Sequence, residues 1–340
     1  MNILICSVPF RPSVGGIETV SAVLAEQFVK QGHVVTMVTQ TASPTPDDEA
    51  YRIVRRPAAT QLRKLVRDAD VVFHNNISLR LAWPLLLSPR PWVVAHHTWI
   101  PRRGWAGRIK RALLGWASNI SISQAVADDL PVHSTRVPNP YDTALFRPLE
   151  GVTRDKDIVF VGRLVGDKGV SVLLDALHLL RSRGIRLGAT LIGDGPEAPA
   201  LREQAARLDL AYQVDFAGAC RGENLVRRLH AHQLLVVPSV WEEPFGIVVL
   251  EGLACGCLPL VARSGGLPEA AGPCGRVFAK GDAGALASEL ERWHAQRPCA
   301  ANVRASSAEH LSHHHPERVA SAYLQVLNDV CRRHDRAIAA

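Results

Sequence analysis

The sequence predicts an α/β protein with parallel strands, divided into two domains. Three observations predict it. Residues 234–269 read as strand, loop, helix, strand and loop, which is a βαβ unit. The same alternation recurs along the chain, with short apolar strands followed by glycine-bearing loops. The 340 residues suffice for two domains of ~100–200 residues each, and a polar stretch at 151–157 reads as the linker. The expected domains are residues 1–150 and 151–317, followed by a long helix at 318–333.

In the first domain, residues 2–8 form an apolar strand, 9–16 a Pro/Gly loop, and 17–30 a helix by spacing. Residues 34–39 are the next strand. Residues 42–48 are polar and Pro-rich, hence a surface loop. Short strands follow at 70–74, 92–95 and 120–123, and Ser123 caps a helix. In the second domain, residues 158–161 are the first strand and 162–169 a glycine loop with two cations, leading into a helix at 170–181. Strands at 189–192 and 214–217 and a helix at 225–231 precede the central unit, and residues 289–297 read as helical. In the central unit, 234–238 is a buried strand ended by Pro238, 239–246 a loop, 247–255 a helix and 258–262 a strand.

Composition narrows the function classes. Hydrophobic residues make up 47% and charged residues 21%, as in a soluble globular protein. No apolar run approaches the ~18–20 residues that span a bilayer. The start, MNILICSVPF, reads as a first strand rather than a signal peptide. The seven cysteines lack a C-x-x-C pair, and a reduced cytoplasmic thiol set is expected. Of the net charge of +7, residues 1–150 carry +6, with 17 Lys+Arg against 11 Asp+Glu. A basic amino-terminal half suggests an anionic partner. Nucleic acid ranks last, because no helix-turn-helix, zinc-finger or RNA-binding signature accompanies the charge.

Several residues could carry chemistry. Glu243 and Glu251 stand eight positions apart, a rotation of roughly 80° and a rise of ~12 Å along a helix. They could line one side of an elongated ligand, or simply be solvated carboxylates flanking a helix. Phe245, Gly246 and Ile247 would offer free backbone N–H groups at the helix start, an anion site. Arg163 and Lys168, on a glycine loop at a strand's carboxyl end, suit a diphosphate, although either alone is more often a solvated charge. That loop lacks the G-K-[S/T] ending of a Walker A motif, and the Gly15-Gly16 turn lacks G-x-G-x-x-G.

The stretch WEEPFGIVVLEGLACGCLPLVAR resembles the carboxylate signature of glycosyltransferase family 4. That signature is E-x-F-G, four residues, then E-A-x-A-x-G-x-P-V-V-A and G-G-x-x-E. Glu243, Phe245, Gly246, Glu251, Ala254, Gly256, Pro259, Gly265, Gly266 and Glu269 stand in register, with Gly252 and Leu260 as departures. The turn at Gly15, Gly16, Ile17 and Glu18 resembles the family's G-G-x-E loop, and His97 the histidine that ends its V-V-x-x-H strand. The VPNPYD stretch resembles its V-P-N-G-V-D hinge, with Pro140 for Gly. Residues 162–169 resemble G-R-L-x-x-x-K-G, residues 192–196 resemble I-G-D-G-P, which includes Gly193, and residues 214–218 resemble V-x-F-x-G, ending at Gly218.

The resemblance implies a GT-B fold, two doubly wound Rossmann-like domains facing a central cleft, with the 318–333 helix packing back on the first. It implies transfer of a hexosyl unit, with retention, from a nucleotide diphosphate sugar to a hydroxyl of a glycan, a lipid-linked glycan or a small molecule. Polysaccharide biosynthesis is a fitting setting. Gly15, Gly16, Arg163 and Lys168 would serve the diphosphate, the loop with Gly193 would close over the nucleotide, and Gly218 would serve the base and Glu251 the ribose. Glu243, Phe245, Gly246 and Ile247 would hold the sugar, and His97 would contact the sugar or the reaction centre. No cofactor and no metal are expected beyond the co-substrate. Two other classes stay open: a sugar-nucleotide epimerase or hydrolase, and a non-catalytic binding subunit.

Two tempting features carry less. Asp155-Lys156-Asp157 is a D-x-D, but it precedes a strand and so lies at the sheet's amino end. His310 and His313 to His315 lack a Cys or carboxylate at ligand spacing and read as a solvated loop before the last helix. Residues 102–117 are basic and amphipathic: Trp105, Ile109, Ala112, Leu113 and Trp116 fall within about 100°, with Arg103, Lys110 and Arg111 opposite and Arg108 flanking. This segment either docks on an anionic membrane surface, placing the protein peripherally on the inner face, or packs its stripe on the first domain's sheet.

Overall fold

The structure is a computed structural model that describes residues 1–13 and 15–339. The chain folds as two units, one made of Met1–Pro140 with His313–Ala340 and the other of Tyr141–Ser312. The division thus falls at 140/141, before the expected 150/151. The polar stretch at 151–157 lies inside the second unit, and its last two residues begin a strand.

The first unit runs β1 (Asn2–Cys6), α1 (Gly16–Lys30), β2 (Val34–Thr39), β3 (Arg52–Arg55), α2 (Ala59–Asp68), β4 (Val71–Asn75), α3 (Leu79–Ala82), β5 (Trp92–His96), α4 (Trp105–Leu113), β6 (Ser118–Ser121), α5 (Gln124–Asp129) and β7 (Ser134–Arg136). The strands form one parallel sheet in the order β3-β2-β1-β4-β5-β6-β7. Alternate residues of each strand serve opposite faces. Leu4, Cys6, Val72 and Val94 pack with Leu62 and Val66 of α2. On the other face Phe73 meets Phe28 of α1 and Tyr323, ring centroids 6.4 and 5.5 Å apart, both edge to face. Tyr323 belongs to the C-terminal helix, Pro316–Ala339, which packs against α1, β4 and β5.

The second unit runs β8 (Lys156–Val161), α6 (Val170–Ser182), β9 (Ala189–Ile192), α7 (Ala198–Arg207), β10 (Val214–Gly218), α8 (Gly222–Ala231), β11 (His232–Val237), α9 (Ile247–Ala254), β12 (Leu258–Ala262), α10 (Leu267–Ala271), β13 (Arg276–Phe278), α11 (Ala283–Gln296) and α12 (Ala300–His313). Its parallel order is β10-β9-β8-β11-β12-β13. Past the Lys156–His232 pair at their amino ends, β8 and β11 are apolar, with Ile158 on Leu234 and Val159 on Leu235, because helices cover both faces of a parallel sheet.

Three sequence readings change. The histidine-bearing segment is helical through His313 rather than a loop. His310 Nε2 lies 2.9 Å from Ala270 O, and the buried His314 places Nδ1 2.8 Å from Asn139 O, so these rings brace backbone carbonyls. The apolar stripe divides: Trp105 of α4 and Trp116 of the short turn after it face outward, 74% and 72% exposed, and Ile109 is exposed, whereas Leu113 packs against the sheet's core. Arg111, read as part of a solvated basic face, turns inward: its guanidinium donates to Asp129 Oδ2 (3.1 Å) and Asp129 O (2.6 Å). Gly107 permits this close seating, since a Cβ there would stand 2.1 Å from Pro101 O.

Candidate functional site

In the second unit the strand order reverses between β8 and β11, so the loops leaving their carboxyl ends diverge and open a crevice. Lys168 ends a short 3₁₀ turn, Gly166–Lys168, on the β8–α6 loop. The next residue, Gly169, has φ +66 and passes so close to β11 that a Cβ would stand 2.0 Å from Pro238 O. The glycine therefore presses the Lys168 loop against the loop after β11, which carries Ser239 and Glu243. There Lys168 Nζ donates to Glu243 Oε1 at 2.5 Å, and Ser239 Oγ donates to the same oxygen at 2.9 Å. Glu243 is 7% exposed, and its backbone carbonyl accepts from Gly266 N at 2.8 Å. Its Oε2 accepts no hydrogen bond from any described residue, so that oxygen stays available to a hydroxyl donor.

The other expected residues of this unit surround that pair unequally. Arg163 is exposed and makes no side-chain hydrogen bond or ion pair among the described residues. Gly193 has φ +146 and lies over the β8–α6 loop, where a Cβ would meet Gly162 O at 1.8 Å. Its N–H donates to Gly218 O at 2.9 Å. Phe245 is buried, Gly246 is the N-cap of α9, and Ile247 opens that helix with an N–H that has no intrahelical acceptor. One turn further on, Glu251 is half-buried by its surface exposure, yet its carboxyl is strongly desolvated. Burial first, and the Asp142 carboxylate second, push its pKa up to about 7. Asp142 is fixed by the N–H groups of Ala144 and Leu145, each 3.0 Å from its Oδ1.

In the first unit, Gly15 is the N-cap of α1 in extended backbone, and its carbonyl accepts from the N–H of Thr19 at 3.1 Å. Gly16 is the helix's first residue. His97 follows the carboxyl end of β5 and is 6% exposed. Its backbone N–H donates to Asn76 Oδ1 at 2.7 Å, while neither ring nitrogen finds a well-aligned partner among the described residues. Burial, then neighbouring His96, hold its pKa down near 3, so the ring is neutral at physiological pH. His96 bonds Asn119 Oδ1 at 3.0 Å, which makes it a core residue.

Sequence reasoning missed Ser239 and the effect of Asp142. Serine is common in loops, and only geometry aims its hydroxyl at Glu243; Asp142 could be noted only as part of the hinge motif. The D-x-D is occupied structurally: Asp157 accepts from Gly188 N at 2.9 Å and pairs with Arg297 at 2.9 Å.

Comparison with known proteins identifies the family and the fold. Residues 14–145 match the family described as Glycosyltransferase Family 4, and residues 143–310 match Glycosyl transferases group 1. An uncharacterized glycosyltransferase of Methanocaldococcus jannaschii is 36% identical over 126 residues, which cover 36% of this chain and 32% of the relative. An MMP alpha-(1->4)-mannosyltransferase of Mycolicibacterium hassiacum is 30% identical over 206 residues, 56% of this chain and 49% of the relative. The chain thus matches about half or less of the length of these curated relatives. Among solved structures, Anabaena HepE in complex with UDP superposes with a TM-score of 0.79 at 20% identity, covering 97% of this chain and 100% of HepE. The two parallel-sheet units are those of the GT-B fold. Matched from residue 14 to residue 310 by the two halves of one enzyme architecture, the chain belongs to glycosyltransferase family 4.

Proposed function

We propose that the protein is a retaining glycosyltransferase that moves a hexosyl unit from a nucleoside diphosphate sugar to an acceptor hydroxyl, without a metal. The observation that carries this reading is the Lys168–Glu243–Ser239 cluster at the reversal of the second sheet. A departing nucleoside diphosphate gains negative charge, and preorganised donors stabilise it. Lys168, the free guanidinium of Arg163 and the N–H groups at the start of α9 supply positive potential there. Lys168 and Ser239 hold Glu243 through one oxygen, leaving the other for a sugar hydroxyl. Glu251 would accept from the ribose hydroxyls. That the neighbour HepE holds UDP supports a nucleoside diphosphate as the leaving group.

No described side chain at the cluster is an evident covalent nucleophile. The reading is therefore same-face displacement: the anomeric carbon–diphosphate bond breaks as the acceptor oxygen bonds to that carbon. The acceptor's proton passes to the departing phosphate. Neutral His97 could serve only as a hydrogen-bond partner, not as a cation.

The exposed Trp105, Ile109 and Trp116 beside exposed Arg103 and Arg108 favour a lipid-linked acceptor at an anionic membrane surface. No helix among the described residues is long and apolar enough to cross a membrane.

Donor turnover across an acceptor panel tests the assignment. Arg163→Ala and Lys168→Ala should each lower turnover by ~10²-fold or more, the scale of losing one charge-stabilising donor. Near-wild-type rates in both variants would remove the phosphate assignment. Donor breakdown that never yields a glycosylated acceptor would point to a hydrolase.

A further inference from the structure

The second unit carries a cationic cavity at the amino end of its sheet, opposite the Lys168–Glu243 cluster. Its volume is about 440 Å³, and Arg154, Gln233 and Gly256 place it at the amino ends of β8, β11 and β12. Three guanidinium groups line it, from Arg154, Arg297 and Arg304, and no lining residue is a carboxylate.

Two of those cations converge. A Cβ on Gly256, which has φ +83, would stand 3.0 Å from Arg304 Nη1 and 3.2 Å from Arg154 Nη2. The missing side chain lets both guanidiniums approach one backbone position. Arg154 is half-buried and donates only to neutral groups: His232 O, Cys255 O and, at 3.8 Å, the Cys257 thiol. Arg304 is exposed, and its guanidinium bonds no described residue. Like charges gathered without a carboxylate raise the local positive potential and favour an anion. Arg297 is paired with Asp157 at 2.9 Å, so the charge that no carboxylate offsets is that of Arg154 and Arg304.

A separate feature points the same way. Helix α12 has 14 residues and begins at the cavity wall, where Cys299 and Ala300 line it. Val303 N reaches back to Cys299 O at 3.2 Å, so the first-turn N–H groups lack intrahelical acceptors and carry the positive end of the helix dipole. Leu149, Val152 and Pro298 give the cavity an apolar wall. Its size falls within the ~300–1,000 Å³ of small-molecule sites.

We propose that this cavity is a second anion site, distinct from the Lys168–Glu243 cluster, that takes a phosphomonoester of sugar-phosphate size. Arg154, Arg304 and the first turn of α12 receive the phosphate, and the apolar wall receives the rest of the ligand. The site stands whether or not the transferase reading does, because no residue is shared between them.

Isothermal titration of the full chain with inorganic phosphate, glucose 1-phosphate and glucose tests it, at constant ionic strength set with sodium chloride. Both phosphates should bind, the sugar phosphate more tightly, and glucose should give no heat. Arg304→Gln, whose side chain bonds nothing described, should weaken phosphate binding at least tenfold with an unchanged unfolding temperature in the absence of phosphate. The component of phosphate binding that Arg304→Gln weakens should persist in Lys168→Ala. A charge reversal, Arg304→Glu, should abolish it. Absence of phosphate binding in the wild-type chain, equal affinity in Arg304→Gln, or loss in Lys168→Ala instead would overturn the proposal.

Discussion

Glu251 shows how a single side chain can test the proposed donor site. Its carboxyl is held at about 7 by burial and by Asp142, well above its ordinary value near 4.5. A carboxyl with a raised pKa keeps its proton in the folded protein while the unfolded chain releases it. Its contribution to stability therefore falls as pH rises from about 4.5 to about 7, and is level above. If ribose hydroxyls donate to the carboxylate, nucleotide affinity should move the other way. Binding of whichever of UDP, GDP and ADP the protein takes should, by calorimetry, tighten from pH 6 to pH 8, by up to about tenfold per unit below the pKa, and Glu251→Gln should flatten that slope. Equal slopes in the two proteins would contradict the ribose role. The glutamates and Lys168 were legible in the sequence because a long, ordered motif carries them. The ion pair that joins Lys168 to Glu243 was not legible, because those residues lie far apart in the chain and meet only through the parallel pairing of β8 with β11.

Among the elements, central strands were legible and the edges of the first sheet were not. β8, β11 and β12 are buried apolar runs. β3 reads Arg-Ile-Val-Arg and β7 Ser-Thr-Arg; both are edge strands, which bury little and keep polar or charged residues. α2 escaped notice because only Leu62 and Val66 are buried in it. The close approach of loop to strand at Gly169 predicts a sharp stability effect. Gly169→Ala forces a Cβ onto Pro238 O at a left-handed φ and should cost about 1–3 kcal/mol. Gly115→Ala, which meets nothing within 4 Å, should leave the denaturation midpoint unchanged. Equal midpoints for both variants would show that the loop yields easily. For α4, co-sedimentation with anionic vesicles should be seen at low salt and weaken as salt screens the charges. Arg103→Glu with Arg108→Glu should abolish it; Arg111 is left alone because it is tied to Asp129. A protein that stays in the supernatant at low salt would remove this docking face and favour a soluble acceptor.

At the scale of the whole molecule, the two-unit plan was legible from length and from repeated strand–loop–helix order, but the point of division was not. The chain switches units at 140/141, inside the VPNPYD motif. The polar stretch that resembled a linker instead runs into β8, with Asp157 bound to Gly188 and Arg297. Polarity marks surface, and the sequence had no means of separating a surface strand end from a connection. The proposed reaction is retaining transfer with the positive charge supplied by the protein. The most direct measurement is NMR of the anomeric configuration of the product formed from an α-linked nucleotide sugar in excess EDTA. An α-linked product at an undiminished rate is the expected result. A β-linked product, or activity lost to the chelator and restored by Mn²⁺ or Mg²⁺, would contradict it.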